Sequence, residues 1–391
     1  MIAKLLRRPG VVATLLLSLH AALLAWAATR HSPAIDEVGH LAAGLSHWKF
    51  GRFDLYRVNP PLVRLVATAP VALMRPQMNW AAYSVLPGTR SEFDCGERFI
   101  AVNGARSLWF FTVARWACIP FSLLGGCVCY RWAGKLYGPA GGLLALSLWC
   151  FCPNVWAHAQ MITPDVGATS TGAAACYLFW RWLRGPTWPR AFAAGSVLGL
   201  AELTKATFLV LYVVWPLAWI VWRLSARVGQ AFQADGTAVA SGDAQSRCDE
   251  HPTQESGLRQ AAHLTVMVGL CLYVVNLGYA FEGSFHRLGD YRFISEALGG
   301  PRDPQAPDGW PGNRFAETPI ADLRLPLPAD YVLGVDQQKS DFERGYPSYL
   351  RGERGHRHGA EEHAKRAQRY GRLARSCQRT SQPKLTACQM R

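Results

Sequence analysis

Apolar residues along this chain gather into long, nearly uncharged runs rather than the short alternating patterns of a soluble core. Residues 11–28 form the first run, preceded by Lys4, Arg7 and Arg8. A second covers about 107–130 and is interrupted by Arg115 and Pro120. The third and fourth, about 138–152 and 166–182, flank a short loop around Asp165. The fifth and sixth, about 191–203 and 206–222, flank Lys205, and a seventh covers about 264–281. Crossing ~30 Å of hydrocarbon takes roughly 20 mostly apolar residues in a helix, because every backbone polar group must be satisfied internally. The pattern therefore predicts an all-α polytopic membrane protein with about seven transmembrane helices.

Basic residues orient the chain. With the N terminus cytoplasmic, the inside loops carry Arg131 and Lys135, then Arg181, Arg184 and Arg190, then Arg223 and Arg227. The opposite loops carry no Lys or Arg near Asp165, and only Lys205 in the next. This is the bias expected of cytoplasmic loops. It places residues 29–106, and everything after 281, on the outer face as large loops. The N terminus also fits a signal peptide, with residues 4–8 as its basic part and Ala25-Trp26-Ala27 as a cleavage site. Its apolar run is longer than the usual 7–15 residues, and further spans follow, which favours a retained helix. Between helices 6 and 7, residues 224–262 read as a flexible cytoplasmic linker, Ala-, Gly-, Ser-, Asp- and Gln-rich over 230–260.

Composition changes the picture only where it is mapped. The 391 residues carry 41 Lys plus Arg against 27 Asp plus Glu, a formal +14 that invites a nucleic-acid reading. Eleven basic and three acidic residues fall within 351–391, however, so most of the excess is a tail on the outer side that lacks any recognised nucleic-acid module. Fifteen Trp, 17 Phe and 13 Tyr exclude intrinsic disorder for most of the chain. Most of the 11 cysteines lie inside apolar runs, which argues against a disulfide scaffold. Cys127-x-Cys129 and Cys150-x-Cys152 lack the paired spacing of a zinc site and read as packing residues. No metal site is indicated.

Candidate chemistry sits just outside the first span. Asp36-Glu37 is followed by His40. Adjacent helical residues point about 100° apart, so one carboxylate can face a site while the other caps or pairs. A carboxylate at a membrane boundary suits a general base, although acidic residues also favour a first helical turn through the helix dipole alone. Further on, Arg57, Asn59, Pro60-Pro61-Leu62 and Arg64 follow in one loop. The prolines are expected to stop the preceding helix, and the two guanidiniums offer planar donors to an anionic headgroup or contact lipid phosphate.

Taken together, these residues resemble the first outer loop of membrane glycosyltransferases with the GT-C fold. The nearest group is the dolichyl-phosphate-mannose protein mannosyltransferases and bacterial aminoarabinose transferases. The carrying features are Asp36-Glu37, a gap of about twenty residues and Pro60-Pro61-Leu62. Three more stretches fit the same order: Arg115 in the second span; residues 153–158 leading to Thr163-Pro164-Asp165; and Gly195-x-x-x-Gly199 leading to Thr204-Lys205. The likeness covers roughly residues 30–220. It implies a GT-C-like bundle and inverting transfer of a sugar from a polyprenyl-phosphate donor to an acceptor hydroxyl, without a cofactor. The acceptor would be a protein, a lipid or a glycan. By position, Asp36 would be the base, Glu37 its helper, and Arg64 and Lys205 the donor-phosphate ligands. Asp165, Arg115, Asn59 and His40 would orient substrate, with pairing to Arg115 the other role open to Asp165. The membrane implied is a bacterial inner membrane, with the site on its outer face.

The chain also departs from the group. Asn59 stands where a His usually precedes Pro-Pro-Leu, and an amide cannot carry charge; His40, His47 and His158 are the imidazoles that could substitute. Plain alternatives stay open: Lys205 as a snorkelling side chain, Arg115 as a partner within the bundle. After the loop 282–350, the abrupt change to a basic tail is expected to mark a C-terminally incomplete transferase, with a natural tail as the competing reading. A transporter or flippase is the alternative from another class. It is disfavoured because the acidic residues cluster at span ends and no half-repeat is visible. An inactive, truncated transferase is the third reading.

Overall fold

The computed structural model describes residues 8–86, 88–237, 256–300, 312–345, 349–350 and 353–354. Lys4, Arg7, residues 238–255 of the expected linker and nearly all of the basic tail lie outside them. Each apolar run falls largely within helical structure. α1 (Pro9–Ala28) is followed by three shorter helices, α2 (Ile35–Phe50), α3 (Leu62–Leu73) and α4 (Ser91–Asn103). Then come α5 (Arg106–Phe151), α6 (Pro153–Ala159), α7 (Pro164–Leu183) and α8 (Trp188–Glu202). A 3-10 turn (Ala206–Val210) leads into α9 (Leu211–Thr237), then α10 (Gly257–Gly278), the one-turn α11 (Glu296–Gly299) and α12 (Ala329–Arg344). The strands among the described residues are the antiparallel pair Tyr349–Leu350 and Glu353–Arg354.

The 46 residues of α5 would reach about 69 Å if straight, more than twice a hydrocarbon core. Instead α5 is two arms joined at Gly138, whose φ of 78° is open to glycine at no steric cost, with Pro139 opening the second arm. Trp149 Nε1 donates to Ser122 O at 3.0 Å, so the second arm runs back along the first. The expected second and third spans are these arms. Among the described residues, four helices, counting α5 once, are long and apolar enough to cross a membrane: α1, α5, residues 206–225 and α10. The chain is an all-α polytopic membrane protein.

Contacts sort the loops into two ends. At one end, Leu62 N donates to Leu203 O, Arg115 to Ala28 O, Ile162 N to Glu37, and Asn276 to Pro326 O. At the other, Trp182 donates to His263, while Trp219 and Arg223 both donate to Gln260. These are the loop groups that the charge bias separated. Trp26 and Trp109 stand exposed near the first end, as aromatic side chains do at a membrane boundary. Gly195 and Gly199 of α8 lie against α10. A Cβ at Gly195 would come within 2.6 Å of Met267 O. The Gly-x-x-x-Gly stretch therefore serves close helix packing.

Two expectations are corrected. The prolines do not stop α2: Gly51, at φ 66°, ends it, and Pro61 caps α3. A proline's fixed φ suits a helix start as well as a break. The linker is also shorter than expected, because α9 continues to Thr237 and α10 begins at Gly257. Ala, Gln and Arg in 226–234 are good helix formers.

Candidate active site

The site is assembled at the end of the bundle that gathers residues 29–106. α2 begins the assembly. Its dipeptide divides as helical geometry requires: Glu37 is fully buried, whereas Asp36 is exposed. Glu37 Oε2 accepts the Ala34 N–H at 2.8 Å, closing the helix start, and Oε1 accepts the Ile162 N–H at 3.0 Å. Arg115 reaches across from α5 as a fork, with Nε to Oε1 at 2.8 Å and Nη2 to Oε2 at 2.6 Å. Its remaining N–H groups donate to the carbonyls of Ala28, His31 and Ser32. Arg115 thus fastens the α1–α2 turn to α5, and its partner is Glu37, not Asp165 as expected.

Asp165 opens α7 and pairs with Lys205 Nζ at 3.2 Å and with His158 Nδ1 at 3.4 Å. All three side chains are partly exposed. Lys205 stands there because α8 gives way to an extended residue before the 3-10 turn. The same break brings Leu203 O to Leu62 N, two residues before Arg64.

Arg64 is buried on α3. It donates to Tyr56 O at 2.8 Å and to Asn59 O at 2.7 Å, and its guanidinium lies 5.1 Å from the Tyr56 ring centroid. Its Nε has no hydrogen-bond partner, and none of its contacts is a carboxylate. Asn59 contributes its carbonyl to this clamp. Burial holds the guanidinium's pKa below its ordinary value. The His40 ring packs tilted against Tyr56, 4.4 Å between centroids, and is buried. Desolvation, then the charges of Arg64 and Arg90, keep it neutral, well below the usual imidazole range. His47 is pushed down to about 3, by burial and then by Arg64. Burial, then the nearby Asp36 carboxylate, pushes the Tyr56 phenol up. Asp36, Tyr56, His40 and Arg64 therefore share one neighbourhood, and at the same end Glu37 is tied to Ile162, Asp165 to Lys205, and Leu203 to Leu62.

Two residues of this end were missed from sequence. Glu202, fully buried at the end of α8, accepts a hydrogen bond from the Tyr331 hydroxyl of α12. A carboxylate ending an apolar run, three residues before Lys205, was the available signal. Tyr331 carried none. Arg57, offered as a headgroup ligand, instead pairs with Asp330 at 2.6 Å. Within the expected outer loop 282–350, residues 329–344 form α12.

The helices and this end define a polytopic membrane protein with a polar, carboxylate-bearing face. A family model described as dolichyl-phosphate-mannose-protein mannosyltransferase matches residues 110–232, from the first arm of α5 into α9. The match supports the resemblance to GT-C mannosyltransferase-like membrane glycosyltransferases over those helices, and the loop motifs at 36–37 and 60–62 lie outside it. No curated protein and no solved structure gives a significant match to the chain.

Proposed function

We propose that the protein is a membrane glycosyltransferase that moves a sugar from a polyprenyl-phosphate donor to an acceptor hydroxyl, with inversion. The observation that carries this reading is the division at Asp36-Glu37. One carboxylate is sealed into the scaffold and the next is presented at the surface, beside a polar cluster and beneath helices that match the family. Asp36 takes the proton of the acceptor hydroxyl as its oxygen attacks the anomeric carbon. The bond from that carbon to the phosphate oxygen breaks, and polyprenyl phosphate leaves with the electron pair. Lys205 meets the charge growing on the phosphate, and buried Arg64 adds a positive field from beneath the loop. Glu37 and Arg115 position Asp36 by fixing the start of α2. Asp165 and His158 hold Lys205 when no phosphate is present, and Asn59 and His40 support the loop at the donor. In this reading the end bearing Asp36 is the outer face of a bacterial inner membrane.

Asp36→Asn tests the assignment directly. Transfer of radiolabelled sugar from a polyprenyl-phosphate donor is expected to fall at least about 100-fold. The melting temperature is expected to stay unchanged. Undiminished turnover would remove Asp36 as the base.

A further inference from the structure

The chain leaves α10 through a strained turn. Ala280, Phe281 and Phe285 all adopt left-handed backbone, at φ of 50°, 60° and 62°, a region in which a bulky residue is an outlier. Such residues persist where the surrounding structure fixes them. Here Asn276, in the last turn of α10, does the fixing. Its carbonyl accepts the Phe281 N–H at 2.8 Å, its side-chain oxygen accepts the Ser284 hydroxyl, and its amide donates to Pro326 O at 3.0 Å. Beyond Asn276 the two tied segments run side by side as a short ribbon. Phe285 N donates to Leu325 O at 3.0 Å, Leu288 N to Leu323 O at 2.9 Å, and Gly289 N to Ala321 O at 2.9 Å. The base of this ribbon therefore lies level with the end of a membrane-crossing helix.

What covers the ribbon follows from its neighbour. Tyr273 and Leu277, one turn apart on α10, are both exposed and form a lipid-facing stripe. The Phe281 ring packs edge-on against Tyr273, with centroids 5.8 Å apart. Phe281 thus continues the side of α10 that the bilayer already covers, and the ribbon that leads from it exposes Phe285, Ile320 and Leu323. Charge limits the depth. Asp322 is 86% exposed and pairs with Arg287 at 3.2 Å, and Arg324 is exposed beside them. Those groups need water, so the ribbon cannot enter the hydrocarbon as a whole, whereas apolar side chains can sink roughly 5–10 Å into the headgroup and acyl boundary. We infer that residues 281–285 and 320–325 are a docking surface for the phospholipid interface beside α10. Their four large apolar side chains enter the upper acyl layer, while Arg324 and the Arg287–Asp322 pair stay wet. Docking also sets the height of α12, because Pro326 stands two residues before its cap, Pro328. None of this depends on sugar transfer.

The test labels the unaltered 391-residue chain in phosphatidylcholine nanodiscs from two sides. One reagent is a phosphatidylcholine whose acyl chain carries a diazirine near the headgroup, and the other is a water-soluble diazirine; labelled peptides are read by mass spectrometry. The end of α10 takes lipid label whatever the loop does, so residues 320–325 decide the matter. They are expected to take about fivefold more lipid label than α12, and the soluble reagent is expected to show the reverse order. In the double variant Phe285→Asn, Leu323→Ser, lipid label on 320–325 is expected to fall about fivefold. Both sites are exposed, and asparagine tolerates the left-handed backbone at 285. Labelling of 320–325 mainly from water would overturn the inference in favour of a solvent loop. Protection from both reagents would overturn it in favour of a protein cover, such as a second copy of the chain. Undiminished lipid label in the double variant would show that these side chains do not hold the ribbon at the membrane.

Discussion

Two acid–base pairs stand at the same end of the bundle, and they differ in nearly everything except charge. Glu37 and Arg115 have side chains 0% and 3% exposed and meet through two short, parallel bonds, with three backbone carbonyls taking up the other guanidinium protons. Asp165 and Lys205 are 42% and 33% exposed and meet through one longer contact. The first pair has no donor left for a ligand, and removing either member strands a charge away from water. The second can exchange partners at small cost. An ionisable residue near a membrane is a functional candidate by default, but here burial and partner count separate the fastening from the working group.

The largest expected effect breaks the first pair. Arg115→Leu leaves the Glu37 carboxylate buried opposite hydrocarbon, and removing one member of such a pair costs about 3–5 kcal/mol. The expected result is poor yield or a sharply lowered melting temperature in detergent, measured by fluorescence-detected chromatography. Pairing Arg115→Leu with Glu37→Leu is expected to recover much of that loss, because the stranded charge goes too. A single variant that melts like wild type would erase the contrast between the two pairs.

A smaller effect sharpens the contrast through pH. His47 is held neutral to about pH 3 by burial and Arg64, whereas in the unfolded chain it protonates near pH 6.5. Below pH 6.5 the unfolded state binds a proton that the folded state refuses, so stability falls as pH drops towards 3. Between pH 7 and pH 5 the loss is roughly 2 kcal/mol for this one imidazole. His40 acts in the same direction. His47→Asn places an amide N–H near the position of the wild-type Nδ1, which meets Arg52 O at 2.8 Å. Its melting temperature is expected to decline less between pH 7 and pH 5. Parallel declines in variant and wild type would mean that the enclosed cluster does not set the acid limit.

How far these arrangements could be read in the sequence depends on their range. The apolar runs were legible because a membrane helix is a local, compositional object. Helical geometry also foretold that Asp36 and Glu37 would diverge. The identity of Glu37's partner, 78 positions away, was not legible: Arg115 and Lys205 are both single cations in apolar surroundings, and only packing reveals which carboxylate each meets. The hairpin of α5 was signalled by Gly138-Pro139, but the contact of Trp149 with Ser122 was not.

The smallest effect concerns the exposed pair and is the most specific to the proposed chemistry. An exposed ion pair contributes about 0–1 kcal/mol, so Asp165→Asn is expected to leave the melting temperature within a few degrees of wild type. Its effect should appear in donor binding. With Asp165 neutral, Lys205 no longer has a competing carboxylate, and KM for the polyprenyl-phosphate sugar is expected to fall a few-fold. Lys205→Met should raise it by about tenfold, the usual scale for losing one charge-assisted contact. Raising salt from 50 to 500 mM should shrink both differences, because partly exposed charges are screened. The two substitutions must move KM in opposite directions; if they move it together, Asp165 itself contacts the donor, and the exposed pair acts as a unit rather than as a cation held in reserve.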